Sequence, residues 1–210
     1  MMKEIFETLI NQTAKPLLKE NGFTKKGLNF FKKQNELIFT INFQKSSANS
    51  PFETKFYINC GVYASIFDTT LGKNAPLYPK EYECHFRERI STILKENDGY
   101  FIDQNTDMNE LGKKLTQDLN LAVKFLDEIK SADELMKILL AKGGLNLIDT
   151  IFEYLLASKN EKIFIEQSWK LYVKYGNEAR WQIFENKINK MLEKYGLEKI
   201  NFNETVKRSD

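Results

Sequence analysis

The hydrophobic period of the chain changes twice. Over residues 3–21 the apolar positions Ile5, Phe6, Leu9, Ile10, Leu17 and Leu18 recur at the spacing of one helical face. Gly22 is a natural C-terminal stop, and Pro16 is expected to kink or split the helix, because proline lacks the N–H that an interior turn needs. The period then falls to two. "LNFFKKQNELIFTINFQKS" reads as a hairpin turning near Gln34 and Asn35. Leu37, Phe39, Ile41 and Phe43 alternate with Ile38, Thr40, Asn42 and Gln44 along its second arm. In "KFYINCGVYAS", Phe56, Ile58, Cys60, Val62 and Ala64 alternate with Tyr57, Asn59, Gly61 and Tyr63. Each strand therefore has one apolar face and one polar or aromatic face, as in an antiparallel sheet packed on one side. The N-terminal helix is expected on the apolar face through Phe6, Leu9 and Ile10.

After the loops "KSSANSPFE" and "DTTLGKNAPLYP" the helical period returns. Residues 80–96 read as a helix through Tyr82, Phe86, Ile90, Ile93 and Leu94, and "DGYFID" as a turn with a short strand. Thr106 or Asp107 caps a helix to about Lys130, with Leu111, Leu115, Leu119, Ala122, Phe125, Leu126 and Ile129 as its stripe. Ser131 or Asp133 starts another, ending at Gly143–Gly144, and three more are expected over 146–158, 161–175 and 178–195. Asn160 and Asn177, each before a Glu, suit N-caps; Gly176 and Gly196 suit left-handed stops. Residues 197–210 lose their pattern and are expected to fray. The fold class is α+β: an N-terminal helix on a small antiparallel sheet, then an all-helical C-terminal half. The expected division is an α+β domain over 1–130 and a helical extension over 131–210 packed against it.

Composition narrows the chemistry. Hydrophobic residues make up 42% of the 210, enough for a sizeable core, and no apolar run reaches the length of a membrane span. The start, "MMKEIFETLINQ", carries Glu4 and Glu7 where a secretion signal needs an uncharged stretch. Two cysteines, Cys60 and Cys84, make no disulfide framework, so free thiols and a reduced, cytoplasmic setting are expected. Residues 1–60 hold nine Lys against five Glu, chiefly through Lys25, Lys26, Lys32, Lys33, Lys45 and Lys55. Such an excess suits an acidic partner, nucleic acid included, but strand lysines more often guard a solvated sheet.

"EYECHFRERI" holds the single histidine, His85, beside Cys84, Arg87 and Arg89. On a helix Glu81, His85 and Arg89 align at four-residue spacing, Glu83 pairs with Arg87, and Tyr82, Phe86 and Ile90 form the buried stripe. The functional reading makes His85 a general acid or base oriented by Glu81, with Arg87 and Arg89 holding an anion. The plain reading is a solvated ladder of ion pairs, with His85 at least partly exposed. One histidine rules out sites with two or more His ligands within the chain, and phosphate-loop, nucleophile-elbow, paired Cys-x-x-Cys and His-Glu-x-x-His motifs are missing from the sequence. No cofactor and no metal are expected, although a carboxylate-only metal site leaves no mark in sequence.

"INFQKSS" at 41–47 and "CHFRERI" at 84–90, behind a helix ending "LLKENGFTKKG", resemble an uncharacterised bacterial family, the domain of unknown function numbered four-three-zero-four. The resemblance covers roughly residues 3–130. Phe86 stands where the family more often has Trp, and Ser91 where it often has Gly. It implies a soluble α+β protein and brings no catalytic residue with it. The reading favoured by the sequence is a binding module for another protein. Its surface is the polar and aromatic sheet face of Thr40, Asn42, Gln44, Tyr57, Asn59 and Tyr63, edged by Lys45 and Lys55. The competing expectation for that face is burial under the C-terminal helices. The alternatives are an enzyme acting on an anionic small molecule or phosphodiester through His85, Arg87 and Arg89, and nucleic-acid binding through the N-terminal lysines.

Overall fold

A computed structural model describes residues 2–143, 145 and 147–202. The expected fraying of 203–210 lies outside the described residues; 197–202 form no regular element, yet Phe202 is fully buried. In chain order the first helix α1 (Met2–Leu9) passes through a π-helical turn (Ile10–Ala14) into α2 (Lys15–Glu20). The Lys15 N–H bonds back to the Ile10 carbonyl, which widens the helix just before Pro16 enters the first turn of α2. A first turn tolerates proline because its N–H needs no helical partner. Gly22 then turns at φ +84°, and the Phe23 N–H bonds the Leu18 carbonyl at 2.8 Å, the closing bond of a Schellman cap.

Six strands follow: β1 (Thr24–Lys26), β2 (Asn29–Gln34), β3 (Leu37–Lys45), β4 (Thr54–Ala64), β5 (Phe86–Arg89) and β6 (Tyr100–Ile102). They form one antiparallel sheet in the order β1-β2-β3-β4-β5, with β6 pairing the beginning of β4. Between and after them lie α3 (Ser65–Thr70), α4 (Ile90–Leu94), α5 (Met108–Asp127), α6 (Ala132–Lys142), α7 (Ile148–Ala157), α8 (Glu161–Tyr175) and α9 (Trp181–Lys194). The architecture is α+β. The β2–β3 hairpin turns at Asn35, whose φ of 53° suits a residue that tolerates the left-handed region.

The register matches the alternation. Phe39, Ile41, Phe43, Phe56, Ile58 and Val62 are all at most 1% exposed, on the face that carries the helices. The Phe6 ring meets Phe56 edge-on at 5.0 Å, and Phe86, beside Val62 in the register, meets Phe125 of α5 at 5.7 Å. Lys32 on this face reaches Asp127 at 2.6 Å. Tyr100 stacks on Phe56 and donates its hydroxyl to the buried Asp118 at 2.7 Å. Burial and this bond push the Tyr100 hydroxyl pKa upward.

The chain divides into two compact units, one of Met1–Ser65 and Ala75–Gly143, the other of Ile66–Asn74 and Gly144–Asp210. In the second, Phe202 inserts among Trp169, Tyr172 and Trp181, with ring centroids 4.9–5.3 Å apart. Two capping expectations fail there. Asn160 sits at an N-cap position without a side-chain cap bond, and α9 begins at Trp181 rather than after Asn177. Gly196 turns left-handed at φ +70°, whereas Gly176 stays right-handed at φ −58°. A β-carbon on Gly176 would lie 2.6 Å from the Tyr172 carbonyl, so its glycine serves close approach instead.

Candidate functional site

The largest departure from the sequence reading falls on residues 80–96. Glu81–Glu83 form one turn of 3-10 helix, Cys84 continues in extended conformation, and Phe86–Arg89 join the sheet as β5 before the single-turn helix α4. The segment supports both periods: Phe86 and Ile90 lie four apart, while Phe86 and Glu88 alternate with Arg87 and Arg89. The free edge of β4 decides between them, because its backbone groups gain partners from a strand and none from a helix. Glu81, His85 and Arg89 therefore do not share a helical stripe. Tyr82, expected buried, is 62% exposed; Phe86 and Ile90 are buried as expected.

His85 is buried rather than exposed, at 8%. Its Nδ1 accepts the Ala64 N–H at 3.2 Å, and its ring stacks on Tyr63 at 4.7 Å. The ring thereby fastens the segment before β5 to the end of β4, with Nδ1 spent on the main chain. Arg87 pairs with Glu81 and Arg89 with Asp98, not with Glu83 and Glu81 as helical spacing implied. The Glu83 carboxylate instead accepts the Lys80 N–H at 2.6 Å.

The sheet face away from α1 and α5 has two halves. One is covered by residues 78–85. Tyr78 meets Phe31 edge-on at 5.3 Å beneath the Lys26 ammonium, the Pro79 carbonyl accepts the Thr40 hydroxyl at 3.4 Å, and Cys84 Sγ lies 3.7 Å from Thr40 Oγ1. Phe31, Ile38, Tyr63 and Cys84 form a small apolar cluster there, so Thr40 and Tyr63, expected to be displayed, are buried. Gly61 makes this cover possible, since a β-carbon on it would lie 2.6 Å from Cys84 Sγ. Burial pushes the thiols of both free cysteines, Cys60 and Cys84, up to about 12.

The other half is open. Asn29, Asn42, Asn59 and Arg89 stand in one cross-strand row over β2, β3, β4 and β5. Asn59 donates to Asn42 at 3.1 Å and to Gln44 at 2.9 Å, and Asn42 donates to Asn29 at 2.8 Å. The Arg89 guanidinium lies 4.1 Å from the Tyr57 ring centroid, a cation–π stack. Asn59 is buried under this network; Asn42 and Tyr57 are half-buried, and Gln44 and Phe101 are exposed. Lys55 shares this face, 5.3 Å from the Tyr57 centroid. Lys45 does not: opposite Phe56 it points to the helical face, 5.2 Å from the Phe6 centroid. Alternation also divides the six N-terminal lysines. Lys26, Lys33 and Lys55 lie on the open side of the sheet, while Lys32 and Lys45 lie on the helical side. Lys25 bonds Asn11 at 2.8 Å on the helical side. Asn29, Asp98 and Phe101 belong to the open half and were missed. Asn29 lies on the first arm of the hairpin, where the adjacent Phe30 and Phe31 blur the alternation, and the other two follow the segment that forms a strand in place of the expected helix.

A concavity of about 800 Å³ runs between α5 and the π-helical turn with α2, lined by Gln12, Thr13, Gly112, Thr116 and Asn120 among others. Among the described residues no group of three or more His, Cys, Asp or Glu side chains is placed to hold a metal ion, and no helix is long and apolar enough to cross a membrane.

The sheet, α2 and α5 together lie within residues 14–128, which match the model of the family described as Domain of unknown function (DUF4304). The chain belongs to this family. The match holds the whole open half, from Asn29 to Phe101, and ends before α6. No curated protein and no solved structure matches the chain.

Proposed function

We propose that this member of the family is a binding module that engages another protein through the open half of its outer sheet face. The observation that carries the reading is the hydrogen-bonded row Asn29–Asn42–Asn59 continued by Arg89 on Tyr57. Side-chain amides offer a donor and an acceptor side by side, which matches main-chain peptide groups. Here they are held by one another, so docking orders few rotamers. The exposed Phe101 ring and half-buried Tyr57 supply apolar area beside them. His85 accepts the Ala64 N–H through Nδ1 in the covered half, which fastens this segment to the end of β4.

The test is site-directed photocrosslinking with benzoylphenylalanine in place of Gln44, and in place of Val173, which is 85% exposed in the second unit. The expected result is one protein crosslinked from position 44 only. That protein, purified, should bind the wild-type chain and lose at least about tenfold in affinity on Gln44→Ala with Tyr57→Ala. Equal crosslinking from both positions, or undiminished binding by the double variant, would overturn the reading.

A further inference from the structure

The charges of the outer face point to the chemistry of its partner. Strand positions on this face carry Lys26, Lys33, Lys55, Arg87 and Arg89. The carboxylates tied to them are Glu81 and Asp98. The face is therefore cationic after its own ion pairs are counted, and the lysine excess of the N-terminal segment reaches it only through alternate positions.

Arg89 is the most constrained of these cations. Its ring stack on Tyr57 fixes the plane of the guanidinium, and Asp98 holds one terminal nitrogen. Asp98 is itself held by the Ser91 hydroxyl at 2.9 Å. A guanidinium carries five N–H donors in a fixed fork, so one ion pair leaves most of them for a second acceptor. The side chain is 41% exposed, and the fork opens beside the amide row. Arg87 stands two residues away on the same face and is 55% exposed. Two residues of strand separate the arginines by roughly 6–7 Å, which equals the spacing of alternate side chains on an extended peptide.

We infer that the partner presents an extended segment with acidic side chains at alternate positions, which runs along β5 beside the end of the amide row and whose carboxylates are received by Arg87 and Arg89. This inference rests on the proposed function and names the partner's chemistry. Arg89 sets specificity because a planar, pre-oriented fork favours a carboxylate that meets it edge-on.

Titration calorimetry tests it with three probes at low and at physiological salt: a capped peptide of alternating threonine and glutamate, an oligothymidylate, and inorganic phosphate. The peptide should bind, more weakly at higher salt, and Arg89→Ala should lower its affinity about tenfold or more. Arg89→Lys, which keeps charge and loses the fork, should fall between. Lys55→Glu, on the same face and outside any ion pair described above, should weaken the peptide as well, with circular dichroism of every variant unchanged. Tighter binding of the oligothymidylate would assign the face to nucleic acid and overturn the inference. Peptide affinity indifferent to Arg89→Ala, or peptide binding missing at low salt, would also overturn it. If the protein crosslinked from position 44 still binds in that event, the face remains a binding surface and only its acidic partner is wrong.

Discussion

Gly61→Ala tests how the outer face is divided into a covered and an open half. The added β-carbon would sit 2.6 Å from Cys84 Sγ and 2.9 Å from Cys84 Cβ, distances that real β-carbons do not adopt. Gly61 is central in β4, paired with Thr40 on one side and Arg87 on the other, so the strand cannot step aside without losing both ladders. Cys84 must move instead, and with it the turn of Glu81–Glu83. Overpacking of this kind costs ~1–3 kcal/mol, which for a chain of this size lowers Tm by roughly 2–12 °C. Two measurements follow. Thermal melting reads the cost, and alkylation at mildly alkaline pH with peptide mapping reads the thiols, with Cys60 at 0% exposure as the internal reference. Cys84 should become reactive in the variant while Cys60 stays protected. Adding Cys84→Gly removes both clashing atoms and should recover stability beyond the sum of the single effects. An unchanged Tm with Cys84 still protected would refute the argument, because the 2.6 Å approach would then not constrain the cover.

Phe86→Ala should cost ~3–5 kcal/mol by denaturant titration, since the ring lies between Val62 and Phe125 and little nearby can collapse into its place. Tyr100→Phe removes the donor to buried Asp118 and should cost ~1–3 kcal/mol, with urea midpoints showing the loss. Thiol titration of the unfolded chain without reductant should find both cysteines free. Their folded pKa values are raised from 9.0 to about 12, so the unfolded state ionises first. Stability should therefore be undiminished by these groups below pH 9 and fall as pH rises from there toward 12, and Cys60→Ala should flatten that slope.

The sheet was legible because its signal is redundant. Phe39, Ile41 and Phe43 on one strand and Phe56, Ile58 and Val62 on the next each demand the same face, and a slip of one residue would expose all of them. α5 was legible for the same reason, through Leu115, Leu119, Ala122 and Leu126. Residues 81–90 were not, because Phe86, Ile90, Arg87 and Arg89 satisfy a helix locally and the deciding partner, the edge of β4, lies over twenty residues away. That one misreading displaced Tyr82, Cys84 and His85 together. At the candidate site Asn42, Gln44, Tyr57 and Asn59 were readable from alternation alone. The covered end of the face was not, since Thr40 and Tyr63 look the same in sequence whether or not Pro79 and Cys84 lie over them. The short α3 was not legible, because six residues show no helical period and the first of them, Ser65, continues directly from the alternating strand.

The path of the chain between β4 and β5 bears on where this protein can be cut. Residues 66–74 leave the first unit and belong to the second, where the fully buried Phe67 meets Tyr154 at 4.7 Å. The stretch that defines the family runs through this excursion without interruption. A fragment ended at Gly143 would thus keep an orphaned piece of its neighbour, with the Phe67 ring stripped of Tyr154, and such a fragment invites aggregation unless Phe67 is replaced by a polar residue. Conversely, the C-terminal helices expressed alone would lack one of their own parts. The two units are interleaved along the sequence, so an insertion or fusion at the boundary that the family's limits suggest would divide the first unit from α6 and leave residues 66–74 on the wrong side of the cut.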